Sequence, residues 1–271
     1  PGPFRQQQRR YQHMDLALEG HTALVSGSHR GTGLVIAARL AREGADVLVH
    51  GFEPGQAEAA VAEIGAGTPV TGDITNDAGA DAVQQACHGR HVDILVNNYG
   101  TAGPGSWSSS TADDWIDAYQ KNVLSAQRLI SRFLPAMTAG GWGRIVNLGT
   151  VGSTRPNARM PHYYAAKGAL ATATISLARE TAGTGVRVNL VSPGLILTPE
   201  VQAAYLEKGR REGWGDTWEA IEPRVAADIP IRRIVRREEV ADLVAFLASA
   251  RADAIHGQNL RIDGGALETL T

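Results

Sequence analysis

The sequence predicts an α/β fold in which a parallel sheet carries helices on both faces. Three observations predict it. Short apolar runs alternate with helical patterns from His21 to Ile262. The runs are continuous and lack the in-out alternation of a half-exposed sheet, as expected of parallel strands buried on both faces. The first run also leads into a glycine-rich turn ahead of the first helix, where a dinucleotide-binding sheet needs one.

The elements follow in order. Thr22-Ala23-Leu24-Val25 is the first strand. Leu34, Ala37, Ala38 and Ala41 recur at helical spacing within Gly33 to Arg42. Val47-Leu48-Val49 is the second strand, Gln56 to Ile64 an Ala-rich helix, and Pro69-Val70-Thr71 a short third strand. Ala78 to Cys87 is a helix, Ile94-Leu95-Val96 a strand, Trp115 to Met137 one long helix, and Arg144 to Leu148 the next strand. Tyr163 to Thr184 reads as a helix because Ala165, Ala166, Ala169, Leu170 and Ala171 favour it and nothing breaks it before Gly183. A strand from Val186 to Val191, a helix from Arg237 to Ser249 and a strand from Gln258 to Ile262 complete the pattern. Such sheets bind ligands at the carboxyl ends of their strands, which gathers the connecting loops on one edge.

A chain of 271 residues suits a single large α/β unit. The net charge of −2 and the absence of a basic block argue against a nucleic-acid partner. No apolar run reaches the roughly 18 residues needed to span a membrane. The single cysteine, Cys87, excludes an intrachain disulfide and a Cys-based zinc site, and fits a cytoplasmic protein; no metal is expected. Residues 1–13 are polar and basic around Arg5-Gln6-Gln7-Gln8-Arg9-Arg10 and read as a flexible extension or an expression remnant. Residues 14–271 read as one domain.

Two stretches carry chemistry. Tyr163 and Lys167 are four apart on a helix and share a face. A cationic lysine within about 4–6 Å favours a phenolate and lowers a tyrosine from near 10 towards neutral pH, which makes it a usable acid and base. The second stretch is Ser26-Gly27-Ser28-His29-Arg30-Gly31-Thr32-Gly33. Its glycines allow a tight turn, close approach of backbone N–H groups to a pyrophosphate and close helix packing. The following helix presents its positive end.

These motifs, with Asn97-Asn98-Tyr99-Gly100, Ser192-Pro193-Gly194 and Asp263-Gly264-Gly265 in the same order, resemble the short-chain dehydrogenase/reductase superfamily from Met14 onward. The resemblance implies a doubly wound, Rossmann-type, seven-stranded sheet, a nicotinamide cofactor, hydride transfer between a carbonyl and an alcohol, and a homo-oligomer, expected to be a tetramer. It implies cofactor contacts from Gly27, Ser28, His29, Arg30, Gly31, Thr32 and Gly33, with Asp73 and Ile74 at the adenine. Asn97, beside the adenosine ribose, Tyr99 and Gly100 follow at the fourth strand, then Pro193, Gly194 and Ile196 as further cofactor contacts and Thr198 at the nicotinamide carboxamide. It assigns Tyr163 as acid/base, Lys167 to the nicotinamide ribose and Asn122 to a water in a proton relay behind the lysine.

Two positions depart from the family pattern. Thr150 stands where a serine usually precedes the tyrosine by thirteen residues. It keeps the hydroxyl, adds a methyl and stiffens χ1, with Ser153 as an alternative donor. Tyr99 replaces the usual alanine, and its ring either crowds the cofactor or folds into the loop Gly100 to Gly105. Charge favours NADP over NAD. The second strand ends His50-Gly51-Phe52 with no acid before Glu53, and Arg30 is placed to hold a 2′-phosphate.

The substrate is expected to be a small ketone or secondary alcohol. Its walls would be Val151 to His162, the loop with Trp107, and a lid over about 200–233 in which Tyr205, Trp214 and Trp218 could cover an apolar or cyclic molecule. Two other readings stand beside it: a reductase of 3-oxoacyl thioesters, and a nucleotide-sensing binding protein without turnover.

Overall fold

The computed structural model describes residues 14–269; the extension read at 1–13 lies outside the described residues. The continuous apolar runs form strands because each has neighbours on both sides and helices above and below. Thr22–Val25 (β1) pairs in parallel with Asp46–Gly51 (β2) on one side and Ile94–Asn97 (β4) on the other. Thr68–Thr71 (β3) extends the sheet beyond β2. Gly143–Leu148 (β5), Val186–Pro193 (β6) and Asn259–Ile262 (β9) extend it beyond β4. The order is β3-β2-β1-β4-β5-β6-β9, a seven-stranded, doubly wound parallel sheet as expected. Its direction of winding reverses between β1 and β4, which opens a crevice at their carboxyl ends.

Gly31–Arg42 (α1), Gln56–Ile64 (α2) and Arg237–Ala248 (α9) cover one face, where Ile36, Leu40, Ala60, Val240 and Val244 meet the sheet. Asp77–Ala86 (α3), Ser125–Gly140 (α5) and Pro161–Glu180 (α6) cover the other through Val83, Leu129, Phe133, Met137 and Ala178. Most boundaries fall within about a turn of those read from the sequence. None of the helices among the described residues is long and apolar enough to cross a membrane.

Two segments differ from expectation. The helix expected to run unbroken from Trp115 to Met137 is three pieces: Ala112–Tyr119 (α4), a π-helical turn at Gln120–Leu124, and α5. The widened turn is held by side chains. Ser125 N–H reaches back five residues to Gln120 O, and the Ser125 hydroxyl takes the Lys121 carbonyl at 2.7 Å. Asn122 Nδ2 takes the Ala118 carbonyl at 2.9 Å. Composition gives no hint of this, because every residue involved is acceptable in an α-helix.

The second difference is in the 200–233 segment, which is mostly helical. Pro199–Arg211 (α7) and Trp218–Val225 (α8) start at threonine caps, Thr198 accepting from Val201 N–H and Thr217 from Ala220 N–H. Ile196–Leu197 (β7) pairs with Val235–Arg236 (β8) and closes the base of the segment. Its aromatics pack inward: Trp218 is buried with Ile221, Ile229 and Ile234, and Tyr205 and Trp214 lie against them. The expectation that these rings cover a substrate is therefore corrected. They form the segment's own core, since two short helices need one.

Candidate active site

The glycine-rich loop leaves β1 at Ser26 and turns at Gly27, whose φ of +63° favours glycine. Gly33 admits no side chain: a Cβ there would lie 2.4 Å from Asn98 Nδ2 and 2.7 Å from Gly27 O. Asn98 Nδ2 donates to the Ser26 carbonyl at 2.9 Å, and Tyr99 N–H donates to Ser26 Oγ at 3.0 Å, so β4 buttresses the loop. His50, at 0% exposure, supports it from β2. Gly27 N–H donates to its Nδ1 at 2.9 Å, and its Nε2 donates to Gly72 O at 2.8 Å. Burial pushes this imidazole down to about 4, so it is neutral. The sequence places Ser26 and Asn98 within the motifs without assigning either a contact, and gives His50 no role. For Asn98 the doubled asparagine is a signal; for His50 none exists without the pairing of β1 with β2.

On the other side of the crevice, Lys167 on α6 is buried and donates through Nζ to the Leu148 carbonyl at 2.8 Å. Asn122, lifted inward by the π-turn, donates through Nδ2 to Thr101 O at 3.0 Å, and its Oδ1 is buried without a partner among the described residues. Both groups close on Gly100, where a Cβ would lie 2.5 Å from Asn122 Oδ1 and 2.7 Å from Lys167 Nζ. Thr150 lies two residues past the end of β5 and caps a short 3₁₀ turn, its Oγ1 accepting from Gly152 N–H at 3.2 Å, which leaves the hydroxyl proton to give. Ser153 Oγ instead donates to the Thr150 carbonyl at 2.8 Å and is turned into the loop.

The expected electrostatic pairing of Tyr163 and Lys167 is corrected here. Burial, with Tyr164 beside it, pushes Tyr163 up to about 12, and burial pushes Lys167 down to about 8. The lysine is directed to the Leu148 carbonyl, no bond joins it to the phenol among the described residues, and removal from water governs both groups.

Several side chains expected to face the cofactor are committed elsewhere. Ser28 Oγ donates to Val25 O at 2.7 Å and accepts from His50 N–H at 2.8 Å, so only its backbone faces the loop. Ile74 is fully buried in the core with Val70 and Val83. Asp73 accepts from Thr75 and Asn76 and caps its own turn. Asn97 is buried between strands and donates to Asn147 Oδ1 at 2.8 Å, so its amide nitrogen is committed, while its Oδ1 has no partner among the described residues. Thr198 caps α7, Gly194 N–H is bonded to Ile262 O at 3.0 Å beyond Pro193, and Ile196 is paired with Val235. Tyr99 does not fold into the Gly100 to Gly105 loop. Its ring lies against Gly27 and meets Phe52 with centroids 4.5 Å apart. Arg30 is exposed, 4.0 Å from Glu200 at the start of α7, and His29, lowered by burial and by Arg30, lies edge-on to Phe52. Gly31 and Thr32 open α1.

A helix N-terminus behind a glycine turn, the close seating of that turn on Gly33, and an unpartnered Asn122 Oδ1 packed with Lys167 Nζ against Gly100 fit a nicotinamide dinucleotide lying across the crevice. Fold and site define an NAD(P)-dependent oxidoreductase of the doubly wound α/β class. Residues 27–266 match the model of a family described as enoyl-(acyl carrier protein) reductase. The 3-oxoacyl-[acyl-carrier-protein] reductase FabG of Escherichia coli (strain K12) is 35% identical over 250 residues, 91% of this chain and 97% of that protein. Among solved structures, L-sorbose reductase from Gluconobacter frateurii, complexed with NADPH and L-sorbose, superimposes with a TM-score of 0.87 at 32% identity, covering 95% of this chain and 100% of the other. A gluconate 5-dehydrogenase from Burkholderia cenocepacia, in complex with NADP and tartrate, gives 0.83 at 27% identity, covering 94% and 98%. The chain belongs to the short-chain dehydrogenase/reductase superfamily.

Proposed function

We propose that this protein transfers a hydride between NADP(H) and a ketone/secondary-alcohol pair on a small polar molecule of the ketose or polyol type, with Tyr163 as general acid/base. The observation that carries the reading is the convergence of Lys167 Nζ and Asn122 Oδ1 on Gly100, with Tyr163 one turn before Lys167 on α6 and Thr150 capping the 3₁₀ turn after β5. The dinucleotide supplies or accepts the hydride. In the reductive direction Tyr163 gives its proton to the substrate oxygen, and the Thr150 hydroxyl donates a second hydrogen bond as that oxygen gains charge. Lys167 orients the nicotinamide ribose, and Asn122 Oδ1 holds the water that returns a proton towards the lysine.

The preference for NADP rests on Arg30 at the loop and on the missing carboxylate at Gly51 and Phe52. The NADPH- and NADP-bound relatives support it. A ketose or polyol is supported by the same relatives and by the polar, exposed side chains of Thr154, Arg155, Asn157 and Arg159 beside the site. Residues 14–271 then act as one dinucleotide-binding domain with 200–233 as its lid. The proposed compartment is the cytoplasm, in keeping with one buried, free cysteine. A second reading, reduction of 3-oxoacyl thioesters, is favoured by the 35% identity to the E. coli enzyme. NADPH oxidation measured with ketoses, simple ketones and a 3-oxoacyl thioester distinguishes the two. Tyr163→Phe should abolish turnover and leave NADPH binding nearly intact. Full activity in that variant would remove Tyr163 from the mechanism, and turnover only of the thioester would replace the first reading by the second.

A further inference from the structure

We infer that His50 is a positioning residue for the dinucleotide, its imidazole acting as a clip between the loop beneath the pyrophosphate and the turn on the adenine side. The inference rests on the dinucleotide reading of the crevice given above. His50 is fully buried near the end of β2 and touches neither the substrate side nor the relay around Lys167. Its ring has one partner in each half of the cofactor site. Gly27 N–H, at the head of the glycine-rich loop, meets Nδ1 at 2.9 Å; Gly72 O, immediately before Asp73 and Ile74, meets Nε2 at 2.8 Å.

Those partners determine the tautomer. A backbone N–H can only donate and a carbonyl can only accept, so Nδ1 is bare and Nε2 carries the proton. The His50 backbone reinforces the arrangement. Its N–H donates to Ser28 Oγ at 2.8 Å, and its carbonyl accepts from His29 N–H at 3.1 Å. The loop is thus held at Gly27, Ser28 and His29 by one residue of the neighbouring strand. The Gly27 bond matters most for the ligand. Gly27 turns the chain at positive φ, and its carbonyl lies against Gly33 at the head of α1. An unsatisfied Gly27 N–H would leave its buried site and carry the loop with it.

Two substitutions separate the ring's two bonds. Asn Oδ1 is as many bonds from Cβ as His Nδ1, so His50→Asn keeps an acceptor for Gly27 and gives up the Gly72 bond. Gln Nε2 is as far out as His Nε2, so His50→Gln keeps a donor for Gly72 and strands Gly27. The measurements are NADPH dissociation constants by fluorescence, KM for the dinucleotide and kcat at saturation, with thermal midpoints of the folded variants. Each variant loses one buried bond, so both midpoints should fall by similar amounts. Dinucleotide affinity should fall about tenfold or more in His50→Gln, with kcat at saturation kept, and only a fewfold in His50→Asn. Affinity that follows the thermal midpoint equally in both variants, or a larger loss in His50→Asn, would overturn the role. Should the unaltered protein bind neither NADPH nor NADH, the reading of the crevice fails, and this role with it; binding by the unaltered protein isolates the test to His50.

Discussion

Thr150 is one residue where the chemistry of the site can be tested without dismantling it. Its hydroxyl oxygen accepts from Gly152 N–H, which directs the remaining proton outward, while Ser153 is turned back onto the Thr150 carbonyl. Losing one donor aimed at a developing oxyanion costs about 10²–10³ in rate. Thr150→Ala should therefore lower kcat by about that factor, whereas Thr150→Ser keeps or raises it and broadens the accepted ketones. Steady-state kinetics on both, with Ser153→Ala beside them, decides: a fully active Thr150→Ala with a dead Ser153→Ala would move the role to Ser153. Tyr163, Lys167, Asn122 and Thr150, the residues proposed for the chemistry, can be named from the sequence because short motifs single them out. What spacing cannot reveal is environment. The depth of burial that raises Tyr163 and lowers Lys167 is a property of the assembled sheet and helices, and the same holds for the neutral His50.

At the scale of elements, α1 and α7 approach each other through Arg30 and Glu200, a solvent-exposed pair at 4.0 Å that contributes little by itself. A 2′-phosphate is a stronger partner for the same guanidinium. Arg30→Ala should weaken NADPH binding about tenfold and NADH binding hardly at all, as read by titration of both cofactors; equal losses would count against the NADP preference. The strands are legible because continuous apolar runs admit few other structures. The two helices of the 200–233 segment are not, since the inward rings of Tyr205, Trp218 and, in the turn between them, Trp214 read equally well as a substrate cover until Thr198 and Thr217 are seen to start helices.

Across the whole molecule, two quantities follow from the fold. One is acid stability. Between the ordinary histidine value near 6.5 and about 4, the unfolded chain binds a proton at His50 and the folded protein does not. Stability therefore declines as pH falls through this window, by about 3 kcal/mol in all, and the decline stops once the folded form also protonates. Urea unfolding at pH 7, 6, 5 and 4.5 should show it, and His50→Asn should flatten it. Glu239, lowered to about 2 mainly by the Arg233 hydrogen bond, adds its loss only at more acid pH. An equal slope in the variant would assign the effect elsewhere.

The other quantity is association. Ile116 and Tyr119 on α4 and Ile175 on α6 are exposed, beside an apolar groove of about 400 Å³ lined by Val123, Leu124, Ile130 and Leu134. This face is expected to join copies of the chain. Light scattering at micromolar concentration should return a multiple of the single-chain mass, and a monomer would refute it.

The π-turn has one more effect, which concerns counting. Seven residues back from buried Ala126, about two regular turns, is Tyr119, yet Tyr119 is 42% exposed and Ala118 is buried. The inward stripe slips by one residue across Gln120–Leu124, so α4 and α5 face the core in phase only because that turn holds one residue more than an α-helix would. The location of Asn122 is thus encoded in chain length as well as in side-chain identity. Removing a single residue from this turn would restore an ordinary helix in which Ala118 and Ala126 stand seven apart and still share the inward face, so what is lost is the widened turn that carries Asn122. The helix would heal, and the asparagine would no longer point at Gly100.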